Sequence, residues 1–327
     1  MELKSKIEMA EKRRRELVNR LLAEGTDSWR LFHGVAEGHP GLTIDKYGPL
    51  ILAQSFRKPL TESEIAFLTE RYGDFLVYNH RGAKRERFAF HQPETVALEA
   101  VTARELGLEY HIEARHRGID PYLFLDLRCG RRWLRDQVKG RTVLNVFAYT
   151  CGLGVVAASS GASEVWNVDF SASALEVGRQ NFVKNGLPLE PHRFLQEDYF
   201  AAIWQLSGIG VKGKRARRSF RKLSARRFDL VLLDPPARAK GSFHTVDLVN
   251  DYQSVFKPAL LCCAPGGTIL ATNNVGSVER EEFAEVLLRC AEKAGRPLRA
   301  LQWLVPDEDF PSFDGQPPLK VALCEVG

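Results

Sequence analysis

Two aspartates that close successive apolar runs are the residues of this 327-residue chain best placed to hold a ligand. Val143, Leu144, Val146 and Phe147 lead into a small-residue turn, Tyr149-Thr150-Cys151-Gly152-Leu153-Gly154, and a second run, Val165-Trp166-Asn167-Val168, ends on Asp169. Glycines let backbone approach a ligand where a Cβ would collide, and an acid about twenty residues on can accept from both hydroxyls of a ribose. A third run ends in Gln196-Glu197-Asp198-Tyr199. Each aspartate alone reads equally as a helix N-cap, ahead of Ser171-Ala172-Ser173 and Tyr199-Phe200-Ala201. At successive strand ends, the pair favours ligand roles. Further on, Phe228-Asp229-Leu230-Val231-Leu232-Leu233 delivers Asp234-Pro235-Pro236 to the same edge, because parallel strands present their carboxyl ends together. Two prolines fix φ and remove two donors, so this stiff corner can position a flat substrate; its plainer reading is a strand-ending turn.

The nature of the nucleoside follows from what the turn lacks. The order Thr150-Cys151-Gly152-Leu153-Gly154-Val155 breaks the full G-x-G-x-x-G of a dinucleotide site, and no Arg stands beside Asp169 for a 2′-phosphate. A nucleotide-dependent oxidoreductase is therefore the weakest of the readings. S-adenosylmethionine has ribose and adenine but no phosphates, so it needs acids and close backbone rather than a phosphate cradle. Asp169 would take its ribose, Phe170 would cover its adenine and Asp198 would accept from the adenine amino group. Six cysteines show no C-x-x-C pair and no histidine at ligand spacing, so neither a metal nor a disulfide framework is expected.

These residues need a frame. With 44% hydrophobic and 27% charged residues the composition is that of a folded protein with room for two domains, and no apolar stretch approaches the roughly 18 residues of a membrane span, so a cytoplasmic protein is expected. Residues 1–24 read as a basic helix stopping at Gly25. Residues 25–118 read as a small α+β domain, with short strands at 29–34, 42–45, 50–56 and 75–78 around a helix at 60–71. After a link near 115–121, residues 119–327 alternate between strands (143–147, 164–169, 192–196, 228–233, 267–272, 299–304, 319–325) and helices (notably 128–138, 172–185, 246–263 and 279–294). That is an α/β, doubly wound seven-stranded sheet, its last two strands a hairpin-like addition at one edge.

The net charge of +5 is unevenly spread. Lys12-Arg13-Arg14-Arg15 is one cluster. Residues 212–227 form another, with Lys212, Lys214, Arg215, Arg217 and Arg218 among nine cations and no acid. Such runs read either as solvated faces or as phosphate-binding patches, and the position of the second, just before the Asp234 strand, favours a patch that attracts a polyanion. Arg131, Arg132 and Arg135 add to it.

The ordered set of motifs resembles the S-adenosylmethionine-dependent large-subunit rRNA methyltransferases related to the bacterial I and K/L enzymes. The resemblance runs from about Lys6 to the C-terminus. It rests on the stretch Arg30 to Tyr47, Leu123-Phe124-Leu125-Asp126-Leu127-Arg128, Asn145 to Gly152, Val168 to Ser171, Asn181 to Leu187, Asp234-Pro235-Pro236 and Asp309-Phe310-Pro311. It implies a class I methyltransferase domain that follows a small substrate-side module, with no room for the further N-terminal RNA-binding module of the PUA type. It also implies S-adenosylmethionine contacts at Phe124, Asp126, Arg128, Phe147, Tyr149, Thr150, Gly152, Asp169, Phe170, Ser171, Asp198 and Tyr199, and RNA, as rRNA or a ribosomal precursor, as partner. A homodimer is left open. The target atom is where the chain departs from the pattern. Methylating C5 of a pyrimidine needs a cysteine thiolate near the fourth or fifth strand end, where this chain has none. Asn273-Asn274 resembles the guanine-N7-methylating K half, so direct transfer to a nitrogen is expected, with Asp234, Pro235, Pro236 and Asn273 positioning the base. A non-catalytic RNA-binding factor and a cytosine-C5 enzyme remain the alternatives.

Overall fold

The computed structural model describes residues 2–82, 99–115 and 121–327. They form two compact units: residues 1–128 with 306–315, and residues 129–305 with 316–327. The chain thus returns to its first unit late, which a single boundary near 118 does not foresee.

In the first unit, helix α1 (Leu3–Ala23) buries Leu3, Ile7, Ala10, Arg14, Leu17 and Leu21, spaced three or four apart along one face. Gly25, at φ +76°, ends it; a Cβ there would lie 3.1 Å from the backbone of Gly107. Strands β1 (Ser28–His33), β2 (Leu42–Tyr47) and β3 (Leu50–Ser55) run antiparallel. Helix α2 (Glu62–Tyr72) then crosses over to β4 (Leu76–His80), parallel to β3. Thr61 starts α2 with a capping box: its hydroxyl accepts from the Glu64 N–H, and the Glu64 carboxylate accepts from the Thr61 N–H. A hairpin of β5 (Ala100–Glu105) and β6 (Leu108–Glu113) follows, which the sequence reading did not anticipate.

The second unit holds α3 (Arg128–Gln137), apart from its first residue, then β7 (Thr142–Val146), α4 (Gly152–Ser159), β8 (Glu164–Asp169), α5 (Ala172–Lys184), β9 (Arg193–Gln196), α6 (Tyr199–Leu206) and β10 (Phe228–Leu233). A short hairpin, β11 (Arg238–Lys240) with β12 (Thr245–Asp247), precedes α7 (Tyr252–Cys262), β13 (Cys263–Asn273), α8 (Arg280–Lys293), β14 (Leu298–Leu304) and β15 (Lys320–Val326). The seven-stranded sheet has the order β14-β15-β13-β10-β7-β8-β9. Strands β13, β10, β7, β8 and β9 are parallel, and β15 runs antiparallel to both its neighbours. The last strand therefore lies inside the sheet, between β13 and the edge strand β14. Strands β7 and β10 are almost wholly buried, as expected of parallel strands covered on both faces. Strand order reverses between these two, and in open α/β sheets the crevice at that switch point, beyond the carboxyl ends, is where ligands bind. All six cysteines are buried free thiols. Cys262 ends α7 as expected, but Cys263 opens β13.

Candidate cofactor and base site

The turn after β7 is conformationally costly. Phe147, Tyr149 and Cys151 have φ of 55°, 49° and 60°, left-handed values that non-glycine residues seldom adopt. The glycines take no part in this left-handed backbone. Gly152 is the first residue of α4. Gly154 serves packing, because a Cβ there would lie 2.1 Å from Asn167 Oδ1, itself held by a 2.9 Å bond from Asn145 Nδ2. Hydrogen bonds maintain the turn instead. The Tyr149 N–H donates to Asp169 Oδ2 at 2.9 Å, the Ala148 N–H to the Val168 carbonyl at 3.1 Å, and Asn181 Nδ2 to the Thr150 carbonyl at 3.1 Å.

Asp169 therefore ties the ends of β7 and β8 together. Its second oxygen accepts from the Ser171 N–H at 2.8 Å, and with about four acceptor sites the carboxylate keeps capacity for a hydroxyl. Burial pushes its carboxyl above the ordinary range, opposed by the backbone donors of Ser171, Tyr149 and Phe170. Phe170 is 70% exposed beside it, a free aromatic face. The Ser171 hydroxyl is used locally, accepting from the Ala174 N–H to cap α5. Asp198 adopts the capping role that the sequence left open: Oδ1 accepts from the Phe200 and Ala201 N–H groups at 2.9 and 3.4 Å. Its Oδ2 accepts from the Ser242 N–H at 3.2 Å. Gly241 permits that approach, since a Cβ would stand 2.8 Å from the same oxygen. Tyr199 is corrected as a cofactor contact. Its ring is buried against Phe147 at 4.4 Å and its hydroxyl donates to the Val255 carbonyl at 2.5 Å, so the side chain faces the core.

At the end of β10 the Thr272 hydroxyl donates to Asp234 Oδ1, fixing the carboxylate at the mouth of the neighbouring strand. Pro235 is buried and Pro236 exposed. Asn273 is corrected as a base contact. It is 0% exposed; its Nδ2 donates to the Leu248 carbonyl at 3.3 Å and its Oδ1 accepts from the Val275 N–H at 2.9 Å, so both ends of the amide hold backbone. Asn274, which the sequence reading passed over in favour of its neighbour, is the exposed member of the pair. The β11–β12 hairpin, also missed, follows the proline corner and brings Ser242 back to Asp198.

Phe124, Asp126 and Arg128 belong to the first unit. Phe124 is 47% exposed and Asp126 half-buried. Arg128 is corrected as a cofactor contact, because its guanidinium is 0% exposed and committed to its own unit. It donates to Asp307 at 2.9 Å, to Asp309 at 3.2 Å and to the Ser28 carbonyl at 2.9 Å, and pairs with Glu105 at 3.3 Å. Among the expected RNA contacts, Arg131 is buried and so is corrected too, whereas Arg132 is half-buried and Arg135 exposed. Lys212, Lys214, Arg215, Arg217 and Arg218 are all exposed. Their segment is anchored at defined points. Glu197 accepts from the Arg221 N–H at 2.6 Å, Arg226 pairs with Glu164 at 2.6 Å, and Arg218 donates to the Ser242 carbonyl beside Asp198. The segment thus runs from the carboxyl edge, at Ser242 and Glu197, to the amino end of β8 at Glu164. Among the described residues there is no cluster of His, Cys, Asp and Glu able to hold a metal, and no helix is long and apolar enough to cross a membrane.

The site's chemistry suits a phosphate-free nucleoside, and comparison with known proteins agrees. The chain is 29% identical over 309 residues to a ribosomal RNA large subunit methyltransferase of Deinococcus radiodurans, covering 91% of this chain and 72% of that one. It is 29% identical over 317 residues to ribosomal RNA large subunit methyltransferase I of Aeromonas salmonicida, covering 94% and 75%. Among solved structures, SMU.776, a proposed methyltransferase complexed with S-adenosylhomocysteine, superposes with a TM-score of 0.81 at 23% identity over 98% of this chain and 80% of that one. A SAM-dependent methyltransferase from Agrobacterium tumefaciens gives 0.66 at 21% identity, covering 88% of each. These two share the fold. A family described as S-adenosylmethionine-dependent methyltransferase matches residues 30–324, nearly the whole length on which the turn after β7, Asp169 and the proline corner are built, and the chain belongs to that family.

Proposed function

We propose that the protein methylates a base of large-subunit ribosomal RNA at a nitrogen by direct, non-covalent transfer, with guanine N7 the favoured acceptor. The observation that carries this reading is the Asp169 carboxylate, buried against the turn that follows β7 with acceptor capacity left, at the same sheet edge as the Asp234-Pro235-Pro236 corner. When bound, S-adenosylmethionine supplies an electrophilic methyl group on sulfur. Asp169 accepts from the ribose hydroxyls and Phe170 covers the adenine, while Asp198 keeps acceptor capacity for the amino group. Phe147, Tyr149, Thr150 and Gly152 set the backbone of the turn. Asp234, Pro235 and Pro236 orient the base, with Asn274 in the place first given to Asn273. Much of the acceleration then comes from holding donor and acceptor in near-attack geometry. Lys212, Lys214, Arg215, Arg217 and Arg218, with Arg132 and Arg135, hold phosphates.

The cysteines argue for transfer without a covalent adduct. A pyrimidine-C5 route needs an accessible thiolate, yet all six thiols are buried, and burial pushes Cys263, the one that opens β13, up to about 12. The rRNA substrate is supported by the names of the Deinococcus and Aeromonas relatives. Mass spectrometry of rRNA from a deletion strain tests the reading. One methylated nucleotide is expected to vanish, to return with the wild-type gene and to stay absent with Asp169→Ala; its full return with that variant would refute the enzymatic reading.

A further inference from the structure

A groove between α1 and β1 in the first unit has no part in the chemistry above. It encloses about 520 Å³, within the size range of ligand sites. Two of its lining residues, Trp29 at 6% exposure and Arg14 at 3%, carry buried N–H donors without an acceptor among the described residues: the indole Nε1 and the guanidinium Nε. Arg14 cannot turn to satisfy it. Its Nη1 already donates to the Ala10 carbonyl and Glu37, and its Nη2 to Glu37 and the Asp309 carbonyl, so the fork is locked with one donor unspent. Buried donors are rarely left unpaired in folded proteins, and two in one lining call for a ligand that brings acceptors.

The rim selects the sign of that ligand. Lys12 and Arg15 are exposed and make no ion pair among the described residues. Of the two acids in the lining, Glu11 is matched by Arg71, which leaves Glu8 as the opposing charge. Unspent donors in the wall and spare cations at the rim suit an acceptor-rich anion. We infer that this groove binds a nucleotide of a single-stranded RNA segment, with its phosphate at Lys12 and Arg15 and an acceptor of its base or sugar at the Trp29 and Arg14 N–H groups. The inference rests on the RNA reading of the preceding section and adds a binding element on the first unit.

The test is anisotropy of a labelled single-stranded RNA against the full chain over a salt series. The double variant Lys12→Ala/Arg15→Ala is expected to weaken binding and to flatten the log–log salt slope by about 1.4, two phosphate contacts at roughly 0.7 each. Trp29→Phe removes a neutral donor and keeps a ring, so it lowers affinity severalfold at unchanged slope. A wild-type affinity and slope in the double variant overturns the inference, as does weaker binding with an unchanged slope, which marks a structural effect. Binding of a labelled acidic peptide that Lys12→Ala/Arg15→Ala abolishes, with RNA binding untouched by that variant, also overturns it, because the groove then takes a protein segment. The functional reading fails separately, on wild-type protein that binds S-adenosylhomocysteine yet restores no RNA methylation.

Discussion

Asp169 combines two demands in one carboxylate: it holds the left-handed turn through the Tyr149 N–H and keeps acceptor capacity for a ribose. Replacing Asp169 by Asn removes a charge-assisted acceptor, a loss of about 1.5–3 kcal/mol, so affinity for S-adenosylhomocysteine by calorimetry should fall roughly ten- to hundredfold. Because burial raises this carboxyl, the same affinity should decline on acidification at a higher pH than an ordinary aspartate would dictate. His33 gives a second pH effect. Burial, then Arg30 and Arg14, lower it to about 4 from 6.5, so between those values the unfolded chain binds more protons than the folded one. Stability should therefore fall as pH drops from about 6.5 to about 4 and level off below, and His33→Gln should lose that part of the slope in urea unfolding. The positions of Asp169 and Phe170 at the end of β8 were legible in the sequence because an apolar run closed by an acid marks a strand end. Asn273, Arg128 and Arg131 were misplaced because residue type and spacing do not say which polar groups are buried. Arg128 is held by Asp307 and Asp309, acids far from it in the chain.

Among the elements, the α4–β8 contact is the most exacting. Gly154→Ala would drive a Cβ into the Asn167 amide, which Asn145 prevents from moving aside. A loss of about 1–3 kcal/mol is expected, as for overpacked cores, read as a lower melting temperature, with the cofactor turn loosened. The central strands of the sheet, such as β7, β8 and β10, were legible because they are apolar runs closed by turn residues, and α1, α5 and α8 because their apolar periodicity is unbroken. The short elements were not. Strands β11 and β12 have three residues each, too few for a period, and are positioned by contacts such as the Ser242 N–H to Asp198. Helix α7 was expected from 246 and begins at Tyr252, since Thr245–Asp247 pairs as β12 and Asp247 Oδ1 accepts from the Val249 and Asn250 N–H groups in a turn. The placement of β15 inside the sheet is a question of pairing partners, which local pattern does not encode.

At the scale of the whole molecule, the first unit depends on a distant stretch of chain. Residues 306–315 belong to it, and their Asp307 and Asp309 join Glu105 around the buried guanidinium of Arg128. Arg128→Met would leave these carboxylates buried and unmatched, a loss of about 3–5 kcal/mol expected in chemical unfolding of the first unit. The basic segment at 212–227 acts at this scale too, as a band of charge that starts at the carboxyl edge of the sheet. Reversing Lys214 and Arg215 to Glu should weaken RNA binding in low salt, with little effect at high salt and none on melting, as checked by anisotropy and calorimetry. The late return at 306–315 also orders events during synthesis. A ribosome delivers Arg128 and Glu105 long before Asp307 and Asp309, so although domains generally mature from the N-terminus onward, the earliest-made half of this polypeptide cannot complete its interior until almost the last residues have emerged. Released fragments that end before Pro306 should then remain protease-sensitive in their first unit, and fragments that end after Gly315 should not.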